Sequence, residues 1–389
     1  MANCVRLFFT TEDFKIEGLS YPGIPFLLDD RLKLVDPANA FLIHVAVHRG
    51  GSESPKTWST YGWHLYDYFS FLEANELNWN ENLEVGSPTV VAIYRNWAAK
   101  RNVAKTVNQR LGTIIRFYRF AHARGWISTL PWDGEAKVVH GRSGGFLAHV
   151  SSGGRHANTP DVTLRDRPSV IELLTRAQIR DLLTFLKPNP THLLMVKLAL
   201  ATGLRREEIL SFPRSYIFNP DTRLDDRVSI KVTLNPTDME IKGNRPRSIF
   251  MTRSLMRELW DYAVVVRSQY QARCQRSGRE ADPSIFIADK GGSYSPTMLN
   301  KVLSRASEKL GFYVHPHMLR HSFATHELHA MRESTGRTDM ALLWVKERLG
   351  HSSIKTTEVY LHLLAELEHE YLAAYQYDLD QLTQDESFV

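Results

Sequence analysis

Tyr360, His351, Arg320, His317, Lys242 and Arg205 are the residue types of a site that holds an anion, moves a proton and offers an oxygen nucleophile. Four of them lie in one short stretch, HPHMLRHSFATHEL followed by KERLGHSSIKTTEVYLH, between His315 and His362. Pro316 suits the first turn of a helix, so His317, Arg320 and His321 fall at i, i+3 and i+4 and share a face. Farther on, Gly350 is placed to close one helix, and Ser352 or Ser353 to cap the next. Tyr360 then sits within the first two turns of that helix, nine residues after His351, where both can return to one cleft. Taken singly, a His-x-x-Arg pair is most often a solvated helix face, and a lone tyrosine a core or interface aromatic. Only the combination is informative.

Upstream stand ATGLRREEIL and IKGNRPR. With these, the chain resembles the tyrosine recombinase (phage integrase) family. That pattern has an Arg in a TGLR-x-x-E turn, a Lys on a β-hairpin, His-x-x-Arg, a His in LGH and a Tyr about nine residues on. Arg205 and Glu208, Lys242, His317 and Arg320, His351 and Tyr360 match it in order. The resemblance implies a site-specific DNA recombinase or integrase, such as that of a mobile element. It would cleave and rejoin DNA through a 3′-phosphotyrosyl intermediate, with no metal, cofactor or ATP. The alternatives are a type IB topoisomerase or hairpin-forming resolvase with the same constellation, and, from another class, a non-catalytic DNA-binding regulator. The complete set of residues argues against the last.

Attack on a phosphodiester builds charge on the non-bridging oxygens, which a preorganised donor cage must hold. Guanidinium groups suit this, being planar, permanently charged and bidentate, and Arg205 and Arg320 are the candidates. A phenol with an ordinary pKa of about 10 must lose its proton during attack. His317 is expected to assist that transfer, His351 to hydrogen-bond the scissile phosphate, and Lys242 to protonate the departing 5′-oxygen. Glu208 is expected to orient the site without touching DNA, and His321 to be a structural side chain bonding locally. Arg245 and Arg247 are placed to meet neighbouring phosphates.

At 389 residues the chain exceeds one ordinary core, so two domains are expected. A composition 43% hydrophobic and 23% charged is that of a globular protein. Long apolar runs and a basic-then-apolar N-terminus are missing, which argues against membrane insertion and secretion. Cys4 and Cys274 stand alone, suiting a reducing, cytoplasmic and nucleoid-associated setting and offering no zinc site. Seven acidic residues and no Lys or Arg follow Ala365, so the remainder carries a formal +12 against +5 for the whole. That asymmetry fits a double-stranded DNA partner and an acidic tail. The tail's stripe of Leu364, Leu367, Tyr371, Tyr375, Leu379 and Leu382 can dock on a neighbouring subunit or pack in cis; the resemblance implies a homo-tetramer on synapsed DNA sites, with accessory proteins as further partners.

The elements positioning these residues read as mainly α with a small antiparallel β-sheet, in a helical core-binding domain plus an α/β catalytic domain. Residues 1–38 read as an extension without long periodicity, and 39–133 as a helical DNA-binding bundle. Tyr61, Leu65, Tyr68, Phe69 and Leu72 form one inward stripe, with Lys56, Ser59, Thr60 and His64 opposite. Helices are predicted over about 89–101 and 104–123, the latter burying Val107, Leu111, Ile114, Ile115 and Tyr118. Arg95, Lys100, Arg101, Lys105, Arg110 and Arg119 cluster in these two helices and are candidate phosphate contacts. Residues 134–168, rich in Gly, Ser, His and Arg, read as a long linker. The catalytic domain spans 169–389. It begins with a Thr-capped helix in LLTRAQIRDLLTFL and a buried helix HLLMVKLALAT stopped by Gly203. A two-stranded sheet over 228–251 follows, with Lys242 at its turn. Residues 255–276 read as helix, SIFIADK as a short strand, and Ser295-Pro296 as the opening of another helix. The polar surplus in HAMRESTGRTDMALLWV, containing Gly336, reads as a lengthened loop.

Overall fold

The structure is a computed structural model. It describes residues 5–48, 55–80, 87–139, 155–166, 172–222, 229–354, 356–361 and 363. The chain divides into two compact units, one of residues 1–143 and 148–169, the other of residues 144–147 and 170–389.

In the first unit, β1 (Arg6–Phe9) pairs antiparallel with β4 (Pro25–Leu28), and β2 (Lys15–Ile16) with β3 (Leu19–Ser20). The N-terminal stretch is therefore two short β-ladders. Strands of two to four residues are too brief to show a period, which is why the sequence read as irregular. A buried Asn39 ties β4 to α1 (Asp36–Ile43), its amide accepting from Leu27 N–H at 2.7 Å and donating to Leu27 C=O at 2.9 Å. One side chain thus does the work of a missing strand neighbour, leaving neither Leu27 group orphaned.

Three longer helices, α2 (Pro55–Ala74), α3 (Val90–Ala99) and α4 (Ala104–Ala123), close the unit. Thr89 caps α3 by accepting from Ala92 N–H. Both predicted stripes are buried, on α2 and on α4. His64, expected on the outer face, is instead half-buried and shares a 2.8 Å hydrogen bond with Thr113. The centre is aromatic and polar-satisfied. Tyr118 donates to Trp79 C=O at 2.6 Å, which leaves Tyr68 as the donor of the 2.6 Å bond between the two hydroxyls. The stretch expected as an irregular linker contains β5 (Gly134–Val139) and β6 (Arg155–Pro160), paired with Gly134 opposite Pro160. Its Gly- and Ser-rich composition conceals them, and residues 140–154 lie outside the described residues.

In the second unit, α5 (Arg176–Leu186) starts with the Thr175 and Gln178 capping box, and α6 (Pro190–Thr202) is apolar nearly all round and central to the core. The short α7 (Arg206–Leu210) leads to β7 (Ser229–Leu234), paired antiparallel with β8 (Arg247–Thr252). Then come α8 (Arg253–Tyr262), a π-helical turn Ala263–Arg267, α9 (Ser268–Arg276) and α10 (Met298–Leu310). The expected strand in SIFIADK is absent among the described residues; isolated bridges Pro213 to Ser284 and Ile287 to Ser293 hold it. A mainly α fold with small antiparallel sheets results.

The largest departure concerns the polar surplus after His-x-x-Arg. Helix α11 (Pro316–Thr335) runs through it, and α12 (Thr338–Leu349) begins after only Gly336 and Arg337. The surplus lengthens two packed helices instead of a loop. Gly336, at φ 65°, is the left-handed residue ending α11, with its N–H bonded to Arg332 C=O. Leu328, Ala341, Leu342 and Val345 pack these helices together in a small core that also holds Tyr360. No helix among the described residues is long and apolar enough to cross a membrane.

Candidate active site

The site starts where α6 stops. Gly203 adopts φ 65°, and a Cβ there would meet the Phe323 ring at 2.3 Å, so both backbone and packing require glycine. The chain then reverses, buries Leu204, and presents Arg205 as the residue capping α7, one position before the helix proper. Glu208 accepts the Arg205 N–H at 2.8 Å and its guanidinium at 3.2 Å. A local capping arrangement therefore orients Arg205.

Glu208 is 1% exposed and also takes Arg247 Nη2 at 2.5 Å. Burial alone would raise its carboxyl, but the hydrogen bond and charge of Arg247, then those of Arg205, hold it below the ordinary carboxylate value. Arg247 also donates to Arg348 C=O at 3.1 Å. It was expected on a phosphate; the structure instead ties β8 to α7 and α12 with it, because a buried carboxylate needs a second cation. Lys242 and Arg245 are exposed in the loop between β7 and β8, beside Gly243 at φ 84° and Asn244 at φ 52°.

On α11, Arg320 is 3% exposed. Its guanidinium donates to Gly203 C=O at 2.5 Å and Leu349 C=O at 2.6 Å, satisfying the C-terminal ends of α6 and α12 together, and lies 3.3 Å from His351 Nε2. Burial, with Arg205 nearby, lowers it to about 9. His317 is exposed and lines a cavity of about 420 Å³ with Arg205, Arg206, Tyr313, His315 and Arg320. Although its side chain reaches solvent, partial desolvation in that cavity, then Arg320 and His315, lower its pKa. The histidine bonded to Tyr360 is His321, whose Nδ1 is 3.0 Å from the hydroxyl, and the His317 ring stacks against it at 6.1 Å. His321, expected to be a purely structural residue with local bonds, thus reaches across 39 residues to the candidate nucleophile. Its position one turn after His317, on the same helix face, was the available signal.

Gly350, at φ 65°, ends α12 and delivers His351 into the cleft. His351 Nδ1 is 3.0 Å from Thr357 Oγ1, and burial followed by Arg320 and Arg205 lowers its pKa to about 4. Tyr360, in the helical turn at 356–361, is 2% exposed, and its ring lies parallel to His351 at 6.4 Å. Burial raises the phenol, while Arg320 and Arg205 oppose the rise. Thr357, one helical turn before Tyr360, is a site residue that sequence reasoning did not single out.

Of the site residues, Arg205, Lys242, Arg247 and His351 border a cleft of about 830 Å³. Arg205, Lys231, Lys242, Arg245, Arg247, Lys346 and Arg348 line it against a single acidic residue, Glu347. Arg348 lies 4.4 Å from both the Phe250 and Trp344 rings, which stack on each other, and both it and Trp344 Nε1 bond Glu327 at 3.0 Å. These contacts pack β8 against α12 in the wall of the cleft. Among the described residues no group of three His, Cys, Asp or Glu is arranged to hold a metal ion. In the first unit, Lys100, Arg101, Lys105 and Arg119 are exposed, and Arg101 lies over the Trp97 ring. Arg95 is half-buried and bonds Asn96 at 3.1 Å. Arg110 is not free for phosphate; it pairs with Asp67 at 2.8 Å, and Tyr94 donates to the same carboxylate oxygen.

Arg205, Lys242 and His351 line one cationic cleft of a mainly helical unit, with Arg320 bonded to His351, the Tyr360 ring parallel to it and His321 on the Tyr360 hydroxyl, the equipment of a phosphoryl-transfer enzyme acting on a polyanion. The phage integrase family profile matches residues 172–366, half the chain and every catalytic candidate. The chain belongs to the phage integrase family and is a tyrosine recombinase. It is 27% identical over 350 residues to the tyrosine recombinase XerC of Roseiflexus castenholzii, covering 86% of this chain and 91% of that one. With XerD of Caulobacter vibrioides it shares 25% over 333 residues, covering 85% and 92%. The structure of XerH site-specific recombinase bound to palindromic difH substrate superposes with a TM-score of 0.55 at 15% identity, over 87% of this chain and 83% of that one. At that identity the likeness speaks to the fold.

Proposed function

We propose that this recombinase cleaves one DNA strand by attack of Tyr360 Oη on a phosphodiester, forming a 3′-phosphotyrosyl bond and a free 5′-hydroxyl. A second strand's 5′-hydroxyl then reverses the step, and bond energy retained in the covalent link makes ATP unnecessary. The supporting observation is that Arg320 contacts His351, whose ring lies parallel to that of Tyr360, beside the cleft Arg205 and Lys242 line. Arg205 and Arg320 hold the non-bridging oxygens, and Glu208 orients Arg205. Lys242 protonates the 5′-oxygen. His351 donates to the phosphate from Nε2 once DNA draws Arg320 away and the ring's proton moves there from Nδ1. Arg245, with Lys100, Arg101, Lys105 and Arg119 of the other unit, meets flanking phosphates.

The substrate is a pair of double-stranded DNA sites, acted on by a tetramer in the nucleoid and assembled through the acidic tail after Ala365, which lies outside the described residues. Tyr360→Phe should abolish covalent protein–DNA adducts on a nicked trapping substrate while site binding persists. An adduct formed by that variant overturns the assignment. Wild-type cleavage should persist in excess EDTA, and its loss there overturns the metal-free mechanism. Removing the tail should preserve binding to one half-site and weaken cooperative filling of two in a gel-shift titration; equal cooperativity overturns the tail's role.

A further inference from the structure

We propose that His321 is a catalytic base in this site, taking the phenol proton of Tyr360 on Nδ1 as Tyr360 Oη bonds to phosphorus. This rests on the reading of Tyr360 as the nucleophile. The contact that carries it is the 3.0 Å separation of His321 Nδ1 from the Tyr360 hydroxyl, the reacting atom itself.

The other histidines are otherwise engaged. His351 has both ring nitrogens spoken for, Nε2 by Arg320 at 3.3 Å and Nδ1 by Thr357 at 3.0 Å. Since a guanidinium only donates, Nε2 of His351 is the lone-pair nitrogen and its proton lies on Nδ1, toward Thr357. His317 is exposed and stacks on the His321 ring at 6.1 Å, whereas it is His321 that bonds the Tyr360 hydroxyl. His321 faces His315 and His317 along its own chain segment, Arg320 beside it, Tyr360 from the C-terminal helical turn, and His351 from the turn after α12. Burial, then these neighbouring cations and imidazoles, lowers it to about 4, so it is neutral and able to accept at physiological pH.

The step balances within the site. The Tyr360 O–H bond breaks with its proton passing to His321 Nδ1, the Oη–P bond forms, and the P–O5′ bond breaks with the oxygen taking a proton from Lys242. Rejoining runs backwards, the incoming 5′-hydroxyl returning its proton to Lys242 and imidazolium His321 returning its own to the departing phenolate. A phenol whose pKa is raised by burial needs such a base more than an exposed one would.

The test is single-turnover cleavage of a nicked trapping substrate by the full-length protein, with the adduct mapped by peptide mass. His321→Asn keeps a hydrogen-bonding atom near the Nδ1 position but cannot take a proton, and His321→Gln serves if the Asn variant does not fold. Cleavage should fall by about a hundredfold or more with DNA binding retained. The acid limb of the wild-type rate profile, where protonation of His321 stops cleavage, should vanish. Placing 3-fluorotyrosine, a more acidic phenol, at position 360 should shrink the variant's defect. Cleavage by His321→Asn at or above the wild-type rate, or a defect indifferent to the fluorine, overturns the base and leaves a packing contact. A wild-type adduct on a residue other than Tyr360 instead overturns the underlying assignment of the nucleophile.

Discussion

Arg320 and His351, 31 residues apart, meet with Nη2 3.3 Å from Nε2, and this contact dictates the imidazole's tautomer. The arginine can only donate, so the Nδ1 proton points to Thr357 Oγ1 and the ring is fixed at both ends. Arg320 meanwhile caps α6 and α12 through Gly203 and Leu349 carbonyls. A phosphate entering the cleft therefore competes with helix ends for the same guanidinium, coupling occupancy of the site to the packing of three helices.

The depressed histidines give the first prediction. His321 and His351 have folded-state values of about 4, below the ordinary 6.5, so between those values the unfolded chain binds more protons. Their contribution to stability is fully present above pH 6.5 and is lost as pH falls toward 4. The melting temperature of the DNA-free protein should drop over that window. His321→Asn with His351→Asn should flatten the slope, and an unchanged slope would place the acid sensitivity elsewhere.

Thr357→Val should release His351. It removes the acceptor of the Nδ1 proton while keeping side-chain volume, so the ring loses one of its two anchors. Cleavage should fall by about tenfold, with Thr357→Ser restoring most of it. Equal rates for the Val and Ser variants would show that the hydroxyl does not matter.

Glu208 is the buried counter-ion of two guanidinium groups. Glu208→Gln keeps the shape but leaves Arg205 and Arg247 facing each other without an anion, a change that costs about 3–5 kcal/mol when one partner of a buried pair is lost. Urea unfolding should report it. Adding Arg247→Met should recover part of the stability, because the remaining charges are then fewer; no recovery would mean that packing, and not charge, was lost.

Lys242→Ala tests the proton donor. An alkoxide leaving group needs a proton, whereas a thiolate, whose thiol has a pKa of about 8.5, does not. Sulfur at the 5′-bridging position should therefore rescue Lys242→Ala. It should not rescue Arg205→Ala or Arg320→Ala, which stabilise oxygens unaffected by the leaving group. A defect as large with sulfur as with oxygen would move the donor to His351.

In the first unit, Arg110 and Arg119 should separate. Arg119 is exposed, so Arg119→Ala should weaken DNA binding and reduce the salt slope by about one. Arg110→Ala should instead lower thermal stability, since it strips Asp67 of its cation. The reverse pattern would contradict the ion pair.

The sequence by itself determined what short-range rules govern. The buried stripes of α2 and α4, the cap at Thr175, the left-handed stops at Gly203 and Gly350, and the mainly helical class all follow from periodicity and caps within a few residues of each other. The identity of the candidate site was equally legible, because its chemistry is written in residue types at fixed spacing. Tertiary structure decided which groups meet. Arg247 on Glu208, Arg110 on Asp67, His321 on Tyr360 and Arg320 on Gly203 join positions 39, 43, 39 and 117 residues apart. No local pattern specifies such pairs, since a charge or ring can serve solvent, a ligand or a partner equally well until packing buries it. The surplus around Gly336 shows the same limit. Its polar composition reads as loop, but Leu328, Ala341 and Val345 find a common core, and that burial outweighs the weak local preference and makes it helix.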